Sequence, residues 1–249
     1  MKHALSAVLL FAGNALAQEP ASTATSVSVI VPVVASTVGP ADTHWKTDIV
    51  LRNDLKTEAT VALSLPAAKH QPIILLTIPP GGVQRFTDVV GEAFAMDNVL
   101  SPLIVQTLGR RSVRVAASAY AIVGATTTKP QPIPVTDASA YYPVRTLPNV
   151  SYSASRRTNI GIVNLGETEA VLTLALRTSS GENTAAMRAV LGPNSMWHMA
   201  VQLLFPAMTK GDNYSVLIET GARDTIVYGS VLDNDTNQAT FIAPLPGVH

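Results

Sequence analysis

A chain of 249 residues with 17 basic and 17 acidic side chains, 47% hydrophobic residues and no cysteine removes support from several function classes at once. Balanced charge leaves no basic stripe for nucleic acid and no attraction to an anionic membrane. Without cysteine there is no disulfide, thiolate metal site or cysteine nucleophile. The length is enough for one large domain or two of ordinary size, each with a sizeable core.

In chain order, residues 1–17 carry the three parts of a secretory signal. Lys2 supplies the positive start, Ala4 to Ala12 a short apolar run, and Ala15-Leu16-Ala17 a small-residue cleavage site. The run is too short to span a bilayer, which needs about 20 residues. Cleavage before Gln18 is expected, and no later segment reads as a membrane helix. The mature protein is therefore expected to be secreted or periplasmic. Residues 18–27, Gln18-Glu19-Pro20 followed by Ala, Ser and Thr, read as an extended linker.

Short strand-like runs come next. Ser26 to Val34 alternates serine with valine or isoleucine, Thr47 to Arg52 sets Ile49 and Leu51 on one face, and Thr60 to Leu65 sets Val61, Leu63 and Leu65 on one face. Ile73 to Ile78, Leu103 to Thr107 and Val113 to Val123 continue the pattern. Period-two alternation, β-branched enrichment and turn residues roughly every ten positions predict an all-β sandwich. Val89 to Met96 and Val201 to Met208 have room for one or two helical turns each.

The chain repeats itself with a period near 111 residues. Lys46-Thr47-Asp48-Ile49 lines up with Arg157-Thr158-Asn159-Ile160, and Asn53 with Asn164; Leu63 and Leu65 meet Leu174 and Leu176. Phe86, Val90 and Phe94 meet Trp197, Val201 and Phe205, and Pro80 meets Pro193 after a small slip. Two tandem immunoglobulin-like β-sandwich units of similar topology, with little helix, are expected over 28–136 and 137–249. The patterns W-x-T-D-I-x-L-x-N (Trp45 to Asn53), P-G-G with F-x-D-V-V (Pro80 to Val90), R-x-N-I-G-I-V-N (Arg157 to Asn164) and S-V-L-D-N (Ser230 to Asn234) resemble uncharacterised secreted bacterial proteins built from paired β-sandwich repeats. That resemblance implies architecture and no particular activity.

Candidate chemistry is sparse. Asp48 is matched by Asn159, which keeps an acceptor oxygen but cannot titrate, so backbone hydrogen bonding at the strand start is the expected role. Asn53 and Asn164 fit strand-ending turns, where asparagine tolerates a left-handed backbone. Asp233, Asp235 and Asn237 supply alternating oxygens for a cation such as calcium, but the glycine and glutamate of an EF-hand loop are absent, and a polar hairpin turn explains the segment too. Of the five histidines, His44, His70 and His198 are internal to the mature chain, and none forms a ligand pair with another. No G-x-S-x-G elbow is present. No catalytic residue and no cofactor is assigned. Trp45, Tyr141 and Tyr142 are the candidate ligand-binding residues, because flat rings stack on sugars; Phe86, Phe94, Trp197 and Phe205 are expected core anchors.

These features together point to a non-enzymatic, exported two-unit protein, acting in cell-surface or extracellular interaction or as a structural module. Its partner would be a protein or glycan at the cell surface, with oligomeric state left open. A carbohydrate-binding accessory module is the alternative, and a secreted hydrolase a more distant one.

Overall fold

The structure, a computed structural model, describes residues 26–39, 42–109, 113–137 and 142–247. The signal segment, nearly all of the linker, and Tyr141 lie outside the described residues.

The first unit runs β1 (Ser26–Gly39), β2 (Thr43–Arg52), β3 (Ala59–Ser64), β4 (Ile73–Ile78), β5 (Val83–Phe86), α1 (Val89–Phe94), β6 (Val99–Leu108), β7 (Arg114–Val123), β8 (Thr126–Thr127), β9 (Gln131–Ile133) and β10 (Thr136–Asp137). The second runs β11 (Val144–Tyr152), β12 (Arg156–Asn164), β13 (Ala170–Arg177), β14 (Asn183–Leu191), β15 (Ser195–Ala200), α2 (Val201–Leu204), β16 (Gly211–Thr220), β17 (Thr225–Asp233), β18 (Ala239–Ile242) and β19 (Leu245–Pro246). The strand orders are β4-β3-β6-β1-β2-β7-β8 and β14-β13-β16-β11-β12-β17-β18. They are the same order, strand for strand, so the chain folds twice in one way. No helix among the described residues is long and apolar enough to cross a membrane.

Each hydrogen-bonded path folds over into two layers. Strands β10, β1, β6 and β3 lie in the order of the A, B, E and D strands of an immunoglobulin sandwich, and β2, β7 and β9 in the order of C, F and G. The A position is filled by the last strand of the unit, not the first; β19 does the same beside β11. The first strand makes the corner. Its register slips between Val31 and Val34 in β1, and between Leu147 and Val150 in β11. Such a bulge bends a strand and lets it pass from one layer to the other.

Between the layers, alternate residues meet. Ile49, Leu51, Val61, Leu63 and Leu103 fill the first core, and Ile160, Ile162, Leu172, Leu174 and Val216 the second. Full burial of each such side chain contributes about 2 kcal/mol. Phe86 and Phe205 are buried, whereas Phe94 and Trp197 are partly buried at the margins of their cores. The equal-spacing match of Phe86 with Trp197 does not survive in three dimensions. Phe86 faces Ile49, and the residue facing the matched Ile160 is Met199, because β14 is longer than β4 and displaces the register of β15.

Two polar residues per unit hold the turns and corners. Thr47 and Thr158, both buried, each accept a backbone N–H through Oγ1, from Ala35 at 2.9 Å and Ser151 at 2.8 Å. These amides lie just where the first strand leaves the ladder of the second. The architectural group at the strand start is thus the threonine and not the Asp48 or Asn159 beside it. Asn53 donates through Nδ2 to the carbonyls of Thr57, Ile78 and Pro79 at 2.9, 2.9 and 3.1 Å, and accepts from the N–H of Leu55 at 2.9 Å. Asn164 repeats the set with Thr168, Leu191, Gly192 and Gly166 at 2.8, 3.2, 2.9 and 3.0 Å. Neither asparagine has a positive φ. Their role is a buried amide that joins two turns, not a left-handed backbone.

Asn53→Asp is nearly isosteric but cannot donate to three carbonyls, so it should cost about 3 kcal/mol by leaving buried acceptors unpaired. Urea unfolding checks this, and Asn164→Asp should cost a similar amount; a loss under about 1 kcal/mol in both would contradict the assignment.

Candidate functional site

Strand alternation gives β12 two faces. Ile160 and Ile162 point into their own core, while Asn159, Gly161 and Val163 point outward. On the same outer face stand Met196 and His198 of β15, Ile226, Tyr228 and Ser230 of β17, and Phe241 of β18. This face lies against the first unit. Val163 and Tyr228 belong to the first unit's apolar cluster with Val31 and Val33, and Met196, Ile226 and Phe241 pack on it.

Gly161 makes that contact possible. It pairs with His198 on one side and Tyr228 on the other, and a Cβ on it would sit 1.9 Å from the Tyr228 ring. The ring therefore lies over bare backbone, 1% exposed, and burial pushes its phenol above the usual range. The His198 imidazole stacks beside it, with centroids 5.7 Å apart and planes 26° from parallel. His198 Nδ1 is 2.8 Å from the Tyr228 hydroxyl, and Nε2 is 3.1 Å from Asn159 Nδ2. With Asn159 donating to Nε2, the ring proton sits on Nδ1 and the imidazole is neutral. Burial lowers the His198 pKa to about 4.

Above this row the units enclose a cleft of about 410 Å³. Val33, Ala35, Trp45, Leu100, Ala119 and Ile133 form the wall of the first unit, and Leu232, Ala239 and Phe241 the wall of the second. Gly39 leaves room for the indole: a Cβ there would be 3.0 Å from Trp45 Nε1. Polar groups converge on one side, namely Arg157, Asn159, His198 and Ser230. The guanidinium of Arg157 is fixed by two side-chain amides, Nη1 donating to Asn234 Oδ1 at 2.6 Å and Nη2 to Asn237 Oδ1 at 3.3 Å. An apolar concavity with a few placed polar groups is the usual form of a small-molecule site.

The sequence-derived candidates fall in different places. Trp45 lines the cleft, while Tyr142 is half exposed over a separate hollow with Pro134 and Pro244, so the two do not form one platform. In the Asp233–Asn237 segment, Asp233 Oδ1 accepts from the N–H groups of Asp235 and Thr236 and from the Thr236 hydroxyl. These bonds hold the carboxyl below its usual range. Asp233 and Asp235 thus shape a hairpin turn whose Asn237 aims Arg157. Among the described residues no group of three His, Cys, Asp or Glu is placed to hold a metal. Asp48 lies on the outer face of the first unit, where burial first, opposed by Arg85 and supported by Glu92 and Asp88, holds its carboxyl above the usual range. His44 faces the exposed Asp42 at 3.3 Å, and His70 is exposed.

Sequence reasoning passed over Arg157, Asn159, Gly161, His198 and Tyr228 as a group. The available signal was the repeat itself: Lys46, Asp48 and Val50 on one outer face become Arg157, Asn159 and Gly161 on the other, losing an acid and a side chain. The second unit has its own version of the first unit's cleft wall, where Asn149, Ser151, Arg156 and Asn213 line an open polar cleft of about 490 Å³.

No family model matches the chain, and no curated protein does. Among solved structures, the calcium-binding mutant D341A D367A of Bacteroides uniformis beta-glucuronidase 2 is similar at 10% identity and a TM-score of 0.18, over 82% of this chain and 26% of that one. The same enzyme bound covalently to cyclophellitol-6-carboxylate aziridine is similar at 11% identity and a TM-score of 0.18, over 82% and 25%. This chain thus spans about a quarter of the length of those proteins, and a likeness so slight bears on neither fold nor function.

Gly161→Ala should destabilise the protein by about 2 to 3 kcal/mol, since the methyl group cannot share space with the Tyr228 ring. Tyr228→Leu in the same chain should recover part of that loss in thermal unfolding, and strict additivity would refute the contact. His198 adds a pH dependence. Unfolded, it takes a proton near pH 6.5; folded, near 4, so stability present above pH 6.5 falls as pH drops toward 4. Because one edge of the ring faces the cleft, the loss should be about 2 kcal/mol. Chemical denaturation at pH 7 and pH 4 should show this slope, and His198→Asn should flatten it.

Proposed function

We propose that the chain is an exported, non-enzymatic binding protein of the cell surface or extracellular space, which holds a small, mainly apolar ligand between its two sandwich units. One observation carries this reading: the cleft joins apolar walls from both units to a row of oriented polar groups on the second. The groups are set by second contacts, Arg157 by Asn234 and Asn237, and His198 by Tyr228 and Asn159. Such pre-organisation lowers the entropic cost of binding. The imidazole, neutral and doubly engaged, is hydrogen-bonded to a phenol and an amide, which suits orientation of a ligand better than activation of a nucleophile.

A carbohydrate-binding role has one observation in its favour, the open cleft of the second unit with its amides, hydroxyls and guanidinium. Sugar hydroxyls match that chemistry, although no aromatic ring lines it.

Trp45 is a built-in reporter. In a Trp197→Phe variant it is the one remaining tryptophan, and titration with the neutral dye N-phenyl-1-naphthylamine should quench its emission saturably at one dye per chain. No saturable quenching would sink the cleft as a binding site, and a glycan array giving strong signals would move the assignment to the carbohydrate reading.

A further inference from the structure

The two units treat one matched cation differently. In the first, Lys46 of β2 pairs with Asp88, Nζ to Oδ2 at 2.5 Å, and Asp88 is also the N-cap of α1, its side chain accepting the Gly91 N–H. In the second, the matched cation is Arg157, and the N-cap of α2 is Ala200, which makes no side-chain cap. The second unit has kept the positive charge and dropped the carboxylate that would neutralise it. Ala200, which has the capping place of Asp88 but stands one residue nearer the strand, and Arg157 both line the inter-unit cleft, so the helix end that lacks its acid opens into it.

Among the described residues, Arg157 is held by neutral acceptors. Its guanidinium donates to the amide oxygens of Asn234 and Asn237, and the ion pairs among the described residues involve His44, Lys46, Arg52 and Arg114 instead. A guanidinium beside apolar walls, with its orientation fixed and no counter-charge, gains most from an incoming anion, which it can meet with two parallel hydrogen bonds. His198 does not compete for that anion, because it is neutral and its two ring nitrogens are engaged with Tyr228 and Asn159. Next to the guanidinium the lining turns apolar, with Leu232, Phe241, Leu100 and Trp45.

We infer that the cleft selects a small amphipathic organic anion, whose head group takes the place that Asp88 holds in the first unit and pairs with Arg157, and whose apolar body lies along Trp45, Leu100 and Phe241. This rests on the cleft being a binding site and adds the class of ligand. A medium-chain or aromatic carboxylate has that chemistry.

Displacement of N-phenyl-1-naphthylamine by octanoate and by octan-1-ol, which share a chain length and differ in head-group charge, tests it. At neutral pH and low salt, octanoate should displace the dye from the wild-type protein at a concentration at least tenfold lower than octan-1-ol. Arg157→Gln should bring the two within about twofold of each other while dye binding persists. Ala200→Asp, which restores an internal carboxylate at the N-cap, should do the same. Dye binding with equal displacement by both compounds, or a preference for octanoate that survives both substitutions, overturns the anion proposal and leaves the cleft standing. Absence of dye binding in the wild type overturns the cleft as a site and the anion proposal together.

Discussion

The seating of the Tyr228 ring on the bare backbone of Gly161 is the contact on which the relation between the two units depends. It turns the outer face of a sheet, a surface that normally meets water, into one that joins a neighbour's core. The ring carries its hydroxyl to His198, which in turn fixes Asn159, so a single missing side chain sets an entire polar row. The cleft exists because this row stops short of filling the space above it, with small residues, Ala35, Ala119, Ala200 and Ala239, on the surrounding strands.

Burial explains much of how the copies have diverged. Where the first unit's cleft wall is roofed by the second unit, it shows Val33, Ala35, Trp45 and Leu100; where the second unit's wall is open, it shows Asn149, Ser151, Arg156 and Asn213. The strand registers make these matched positions, since Thr47 faces Ala119 as Thr158 faces Val231. Apolar side chains are favoured at a covered wall and polar ones at a wet wall. The exchange of Asp48 for Asn159 obeys the same rule: a titrating acid stays on the outer face, and an amide takes its place where the partner is a neutral imidazole. Loss of the acid at the helix N-cap, where Asp88 of the first unit gives way to Ala200 in the second, does not obey it, because a half-buried cation against apolar walls would ordinarily keep its acid.

Much of the fold was legible in the sequence because alternation and turn residues are local signals. Strands β2, β3, β4 and β7 fall on the alternating runs, and both short helices begin at the valines that the pattern placed there. The paired asparagines were visible as positions recurring in both copies, but a left-handed turn is not how they act. Such a turn is a backbone property, whereas these residues work through amide bonds to carbonyls distant in sequence. The closing strands were hidden, being two residues each, too short for any periodicity. The site was hidden for a different reason. Alternation tells which residues leave a core, not what they meet outside it, so it is silent on the first unit that Val163 and the Gly161-seated Tyr228 ring pack against. One fixed period also concealed the shifts that the structure shows, as at Phe86 and Met199.

The A position of each sandwich is filled by the strand that comes last, so β10 lies against β1 and β19 against β11. The beginning and the end of each unit are thereby hydrogen-bonded neighbours, and each unit is a closed circuit in which no strand is privileged as the start. Such a circuit can be joined at its seam and opened at a surface turn without loss of any ladder. Connectivity and architecture are therefore separable here, and a unit of this kind can be inserted into, strung beside, or reordered within a longer polypeptide while its interior stays the same.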